Sequence, residues 1–140
     1  MRLWHQSLIP LLPRQQLLGQ HRELAALRGK GWGRKHATVD YVFTHHPAYL
    51  VAYHWLVMAE MRKRGYNPDR AWDNADWRGN DLGAQEGWVN VEWAYDLFIE
   101  GGILYSEHDD AYLRECIENL RSKGIDVTEM EKLYDNRTTQ

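Results

Sequence analysis

A chain of 140 residues with 44% hydrophobic side chains can bury a core as one domain over residues 1–140, so it needs no disulfide or metal staple. Its lone Cys116 excludes an internal disulfide and suits a reducing, cytoplasmic setting. The apolar pairs Leu8-Ile9 and Leu11-Leu12 are cut by Pro10, Pro13 and Arg14, so neither a leader segment nor a membrane partner is expected.

The formal charge of −3 hides a strong asymmetry. Residues 1 to 66 hold ten Lys/Arg against Glu23, Asp40 and Glu60, a net of +7; residues 67 to 140 hold seven against seventeen, a net of −10. A basic half suits a polyanion, because each neutralised phosphate releases counterions. The alternative is that the two halves pair with each other in the fold.

In chain order, Pro13 starts a helix over 13–28, with Leu17, Gln20, Leu24 and Leu27 along one face and Gly29 as the stop. Gln20 is the one polar break in that stripe. Glu23 lies about 240° around the axis from Leu17, off the buried face. Residues 28–36 form a Gly-rich loop that interleaves basic side chains with Trp32, a pattern fitted to phosphate contact and base stacking. The spacing of a nucleotide-triphosphate loop is absent.

After a short connection over 40–44, a second helix runs from about 48 to 64 with a wide apolar face, and Gly65 closes it. Residues 67–108 are irregular and rich in Asp, Gly and Trp; within them, residues 90–100 read equally as a short helix or an apolar strand. Asp109-Asp110 opens a third helix to about Lys123, with Leu113, Ile117 and Leu120 inward and Cys116 beside them. The tail from Val127 is expected to hold one short frayed helical turn. The fold class is therefore all-α: a single domain of three main helices with an irregular Trp-rich connecting segment.

No metal or cofactor is expected. His45 and His46 are adjacent and diverge in any regular element, and no zinc motif is present. His54 reads as a satisfied core histidine and Cys116 as packing, while Ser7 and Ser106 lack a nucleophile-elbow context. What remains is the α-amine at Met1 together with Glu23, the only acidic residue before Asp40. As a class, α-amines titrate near about 7.7–8.0, against about 10.4 for lysine, so a neutral nucleophile is available near neutral pH. An amine can displace a base from a deoxyribose anomeric carbon if a carboxylate stands by to move protons and stabilise an oxocarbenium-like transition state.

Several motifs recur in order: Arg2 near the terminus, the run Gln-Gln-Leu-Leu-Gly-Gln-His-Arg-Glu-Leu from Gln15 to Leu24, Arg34-Lys35-His36, Lys63-Arg64-Gly65-Tyr66-Asn67, and Trp77-Arg78-Gly79. Over about the first eighty residues the chain resembles the pyrimidine-dimer DNA glycosylase (phage endonuclease V-like) family. The resemblance implies a compact helical fold and a metal-free glycosylase with abasic-site lyase activity on double-stranded DNA. It marks Met1, Arg2 and Glu23 as catalytic candidates. Gln15 and Arg22 would be DNA contacts, Lys30, Arg34, Lys35 and His36 a basic loop on the phosphates, and Trp32 a wedge at the lesion.

The chain also departs from that family. Arg2 is too large for the usual removal of the initiator, so Met1 is expected to stay and its amine to act one residue earlier than in the phage representative; the alternatives are a different path for this segment, removal of Met1 by an unusual route, or an altered lyase activity. The last residues, Tyr134 to Gln140, lack the family's aromatic-basic pattern, and the insert between Arg78 and His108 has no counterpart. Trp88 and Trp93 could line a base pocket or form a satellite core, with packing the favoured reading. The lesion thus stays open between a cyclobutane dimer and another damaged base. Two other readings compete: a non-catalytic nucleic-acid-binding module on the basic half, and a protein-interaction module on the acidic half.

Overall fold

Helical periodicity dominates the sequence, and the fold follows it. In the computed structural model, which describes residues 1–139, five α-helices follow one another: α1 (Arg14–Arg28), α2 (Pro47–Lys63), α3 (Val91–Glu100), α4 (Asp110–Ser122) and α5 (Thr128–Thr138). Short 3₁₀ turns occupy Gln6–Leu11, Asp40–Thr44 and Arg70–Asp73. Among the described residues there is no strand, and Trp77 and Ala84 form one isolated antiparallel bridge.

The all-α class and the three expected helices stand, with ends within a residue or two of the expectation. Two elements correct the expected count. Residues 91–100, ambiguous by periodicity, form α3; Asn90 caps it by accepting from the Trp93 N–H at 3.0 Å, and Gly101 ends it at φ 72°. The tail is no frayed turn but the eleven-residue helix α5. Distant partners hold it: Arg114 pairs with Glu131 at 2.5 Å, Arg121 adds a further bond to Glu131, and Arg137 reaches Asp110 at 3.0 Å. Met130 is buried beneath.

α2 is the centre of the molecule, packed between α1 and α3. Its buried residues (Leu50, Tyr53, His54, Val57 and Met61 among them) go almost all round, as expected of a core helix. His46 starts α2 by accepting from the Ala48 N–H through Nδ1 at 3.0 Å. The α1 stripe is buried as read: Leu17, Gln20, Leu24 and Leu27 all face the core. Leu113, Cys116, Ile117 and Leu120 of α4 close it from the other side. Burial pushes the Cys116 thiol up, consistent with a packing role.

The Trp-rich segment builds a second, smaller cluster of Ala48, Val51, Ala75, Val89 and Ala94, against which Trp55 and Trp88 pack. Trp88 lies under the Arg78 guanidinium, 4.5 Å from the ring centroid. Trp93 is partly exposed and lies against His46, with ring centroids 4.8 Å apart.

Candidate active site

The first four residues belong to no helix or strand, and Leu3 and Trp4 are buried, so their backbone must find other partners. Four side chains supply them. Thr38 Oγ1 donates to the Met1 carbonyl, Gln20 Nε2 to Arg2 at 2.9 Å, Tyr112 OH to Leu3 at 2.5 Å and Tyr53 OH to Trp4 at 2.5 Å. The Trp4 N–H donates back to Gln20 Oε1 at 2.8 Å. Leu3 is fully buried, and both tyrosine hydroxyls are pushed well above the ordinary phenol range by burial, so they serve as neutral donors.

The clamp continues into the next residues. The Gln6 N–H donates to His108 Nδ1 at 3.1 Å, its side chain donates to Gly102 O at 2.9 Å, and its Oε1 accepts from Leu104 N at 2.8 Å. His108 Nε2 lies 2.8 Å from Tyr41 OH. Because Nδ1 accepts from a backbone N–H, the ring is held neutral with its proton on Nε2. Burial drives its pKa down to about 3, with His5 adding to the shift.

This clamped segment forms one wall of a polar cleft of about 240 Å³, lined by Met1, Arg2, Trp4, Glu23, Thr38, Asn119 and Lys123. Met1 and Glu23, read from the sequence as a pair, therefore meet in one cavity, with Arg2 beside them. Glu23 is half-buried, and Gln20 Nε2 approaches its Oε2 at 3.3 Å. Two cations edge the cleft. Lys123 lies 5.1 Å from the Trp4 ring centroid, and the Arg2 guanidinium lies between Trp4 at 6.0 Å and Tyr112 at 5.8 Å, with Glu115 at 3.7 Å.

The remaining sequence candidates distribute unevenly around this cleft. Arg22 is exposed next to Glu23, whereas Gln15 is exposed on the first turn of α1, about 12 Å away along the axis. In the basic loop Arg34, Lys35 and His36 are exposed. His36 Nδ1 lies 3.0 Å from Thr38 Oγ1, the same hydroxyl that meets the Met1 carbonyl, so the end of the loop reaches the cleft.

Lys30 and Trp32 stand apart from it. Lys30 pairs with Asp81 at 3.2 Å and lines a separate cavity with Gly29, Arg78 and Asn80. Trp32 is half-buried edge-to-face between Phe43 at 5.0 Å and Trp88 at 5.6 Å, so in this structure it packs inside the protein. Among the described residues, Lys30–Asp81, Arg62–Asp73 and Arg2–Glu115 are Lys/Arg ion pairs between the basic and acidic halves, and they involve three of the ten basic residues of the first half.

Behind the cleft, α1 is braced from its far end. Arg28 is fully buried; its guanidinium donates to Trp72 O at 3.0 Å, Asn74 O at 2.8 Å and His54 Nδ1 at 3.0 Å, and lies over Trp72. Accepting at Nδ1, His54 carries its proton on Nε2 and donates it to His21 Nδ1 at 2.8 Å. Burial first, then the neighbouring Arg28 and His21, hold His54 well below the usual imidazole range. It is the satisfied core histidine expected from the sequence.

Gln20, Thr38, Asn119 and Lys123 were not singled out as site residues. Only Gln20 carried a signal, as the polar break in the α1 stripe. Asn119 and Lys123 lie four residues apart on α4 and reach the cleft by tertiary packing alone.

The fold is all-helical, and its first residues are fixed in one cleft with a carboxylate, next to an exposed basic loop. Residues 1–74, more than half of the chain, match the pyrimidine dimer DNA glycosylase family, and the protein belongs to that family. Membership makes it a DNA glycosylase-type repair protein with DNA as its substrate class. No curated protein and no solved structure matches the chain. No helix among the described residues is long and apolar enough to cross a membrane.

Proposed function

We propose that the protein excises a damaged base from double-stranded DNA through the Met1 α-amine, with Glu23 as the proton-handling carboxylate, and then cleaves the strand as an abasic-site lyase. The observation that carries this reading is the shared cleft of Met1 and Glu23, in which the amine-bearing segment is clamped rather than free. Proximity of this kind turns a bimolecular attack into an effectively unimolecular one.

The neutral amine donates its lone pair to C1′, the bond from C1′ to the base breaks, and the base leaves with that electron pair and takes up a proton. The new secondary amine loses a proton and the C1′–O4′ bond opens with protonation of O4′, leaving an iminium. Loss of a C2′ proton then expels the 3′-phosphate by breaking C3′–O3′, and water hydrolyses the imine. Glu23 serves both as the group that stabilises positive charge at C1′ and as the base at C2′. Arg22, Arg34, Lys35 and His36 hold the flanking phosphates, and no cofactor takes part.

Borohydride trapping tests the reading directly. With abasic-site duplex, wild-type protein should form a covalent adduct whose mass maps to residue 1. Glu23→Gln should lose base release by at least about 100-fold while binding DNA with unchanged affinity. A tag fused directly to Met1 should abolish the adduct and leave binding intact, which separates this reading from a non-catalytic DNA-binding module. No adduct with wild type under any condition would end the lyase proposal.

A further inference from the structure

We infer that Gln20 is a positioning residue that holds the amine-bearing segment and Glu23 in register; the inference rests on the reading that these two groups act together. Gln20 is 1% exposed, on the buried stripe of α1, where an amide is unfavourable unless its hydrogen bonds are made. Apart from a bond from Tyr53, its side-chain bonds run to the amino-terminal segment or to Glu23. Its Nε2 donates to Arg2 O at 2.9 Å and approaches Glu23 Oε2 at 3.3 Å, while its Oε1 accepts from Trp4 N at 2.8 Å.

The amide thus bonds to the carbonyl of residue 2 and the N–H of residue 4, flanking Leu3 as a neighbouring strand would. These two backbone groups also fix which way the amide faces, because Trp4 N can only donate and Arg2 O can only accept. Nε2 is therefore forced toward Glu23. Tyr53, whose hydroxyl is 3.2 Å from Gln20 Oε1, backs the amide from α2. Glu23 sits three residues along the same helix, so one side chain ties the strand that carries the amine to the carboxylate it must meet.

A purely structural glutamine would move only stability. Gln20→Leu keeps similar volume and removes every bond. Gln20→Glu keeps the acceptor for Trp4 N but, when ionised, cannot donate to Arg2 O or Glu23. Single-turnover base release on a dimer-containing duplex and borohydride trapping on an abasic duplex should both fall about 10- to 100-fold in Gln20→Leu, with DNA affinity changed less than about threefold. Met130→Ala, a buried change in α5, should match the loss in melting temperature while keeping wild-type rates. Gln20→Glu should show the same defect at pH 8 and recover as pH falls, since a protonated carboxyl regains a donor.

Hydrogen exchange at the Trp4 amide reads the clamp without reference to activity, and should quicken at least tenfold in Gln20→Leu. Rates within about threefold of wild type in folded Gln20→Leu or in Gln20→Glu at pH 8, or unchanged Trp4 exchange, would overturn the inference. A wild-type protein with neither turnover nor adduct would instead overturn the functional reading, while Trp4 exchange still decides the role of Gln20.

Discussion

Acid should loosen this protein earlier than its surface charges alone would require, through His108. The ring is 2% exposed, accepts from Gln6 N at 3.1 Å through Nδ1 and lies 2.8 Å from Tyr41 OH at Nε2. Protonating Nδ1 would set two donors against each other in a buried site. The folded pKa, near 3, is depressed below the unfolded value of about 6.5, so the unfolded chain binds the proton first. The stability that His108 confers is complete above pH 6.5 and falls as pH drops from 6.5 toward 3. At pH 5 the loss is about 2 kcal/mol, and by pH 3 about 4–5 kcal/mol, against a total of about 5–15 kcal/mol for a domain. Buried His5 and His54, both depressed by burial, add in the same direction.

Urea unfolding at a series of pH values between 7 and 4.5 measures this slope. His108→Gln keeps an acceptor for Gln6 N and removes the titration, so its curve should flatten by the His108 share. An unchanged slope in His108→Gln would refute the assignment of the proton uptake to this ring. Because Gln6 adjoins the clamped residues, the protection factor of the Trp4 amide in wild type, with exchange corrected for its intrinsic pH dependence, should fall over the same pH range.

The basic residues make a second, graded prediction. Arg22→Ala and Lys35→Ala should each weaken DNA binding across all sequences and reduce the slope of log affinity against log salt by about 1, whereas Lys30→Ala should change it less, because Lys30 is already paired with Asp81. Titrations at several salt concentrations decide it, and an equal effect at Lys30 would show that the Asp81 pair opens on DNA. On the stability side, Glu131→Ala removes the shared partner of Arg114 and Arg121 and should destabilise the protein by about 1–3 kcal/mol, seen as a lower urea midpoint and faster proteolysis in residues 128–139. A cut pattern unchanged from wild type would mean that Met130 and Arg137 dock α5 without help from Glu131.

How far the sequence carried the reading depends on the range of the forces involved. The stripes of α1, α2 and α4, the caps at Asp109 and Gly29 and the stop at Gly65 are set by neighbours three or four residues away, and they were legible as written. The motif from Gln15 to Leu24 also pointed to Glu23 as a candidate beside Met1, and the two residues line one cleft.

The helices α3 and α5 were not legible in the same way. Ten residues with apolar side chains on several sides look alike as helix or strand, and α5 is held by Glu131 and Arg137 reaching residues 10 to 27 positions away. The roles of Lys30 and Trp32 were likewise decided by distant partners, Asp81, Phe43 and Trp88, so a loop composition suited to phosphate and base became an ion pair and a packed ring.

By itself the sequence determined the helices with local periodicity and the family. Only the tertiary structure decided how the first residues are held: the donors to carbonyls 1 to 4 come from Thr38, Gln20, Tyr112 and Tyr53, separated in sequence by 18 to 109 residues. A backbone carbonyl has no side-chain signature in the sequence, and the donor that satisfies it is chosen by packing.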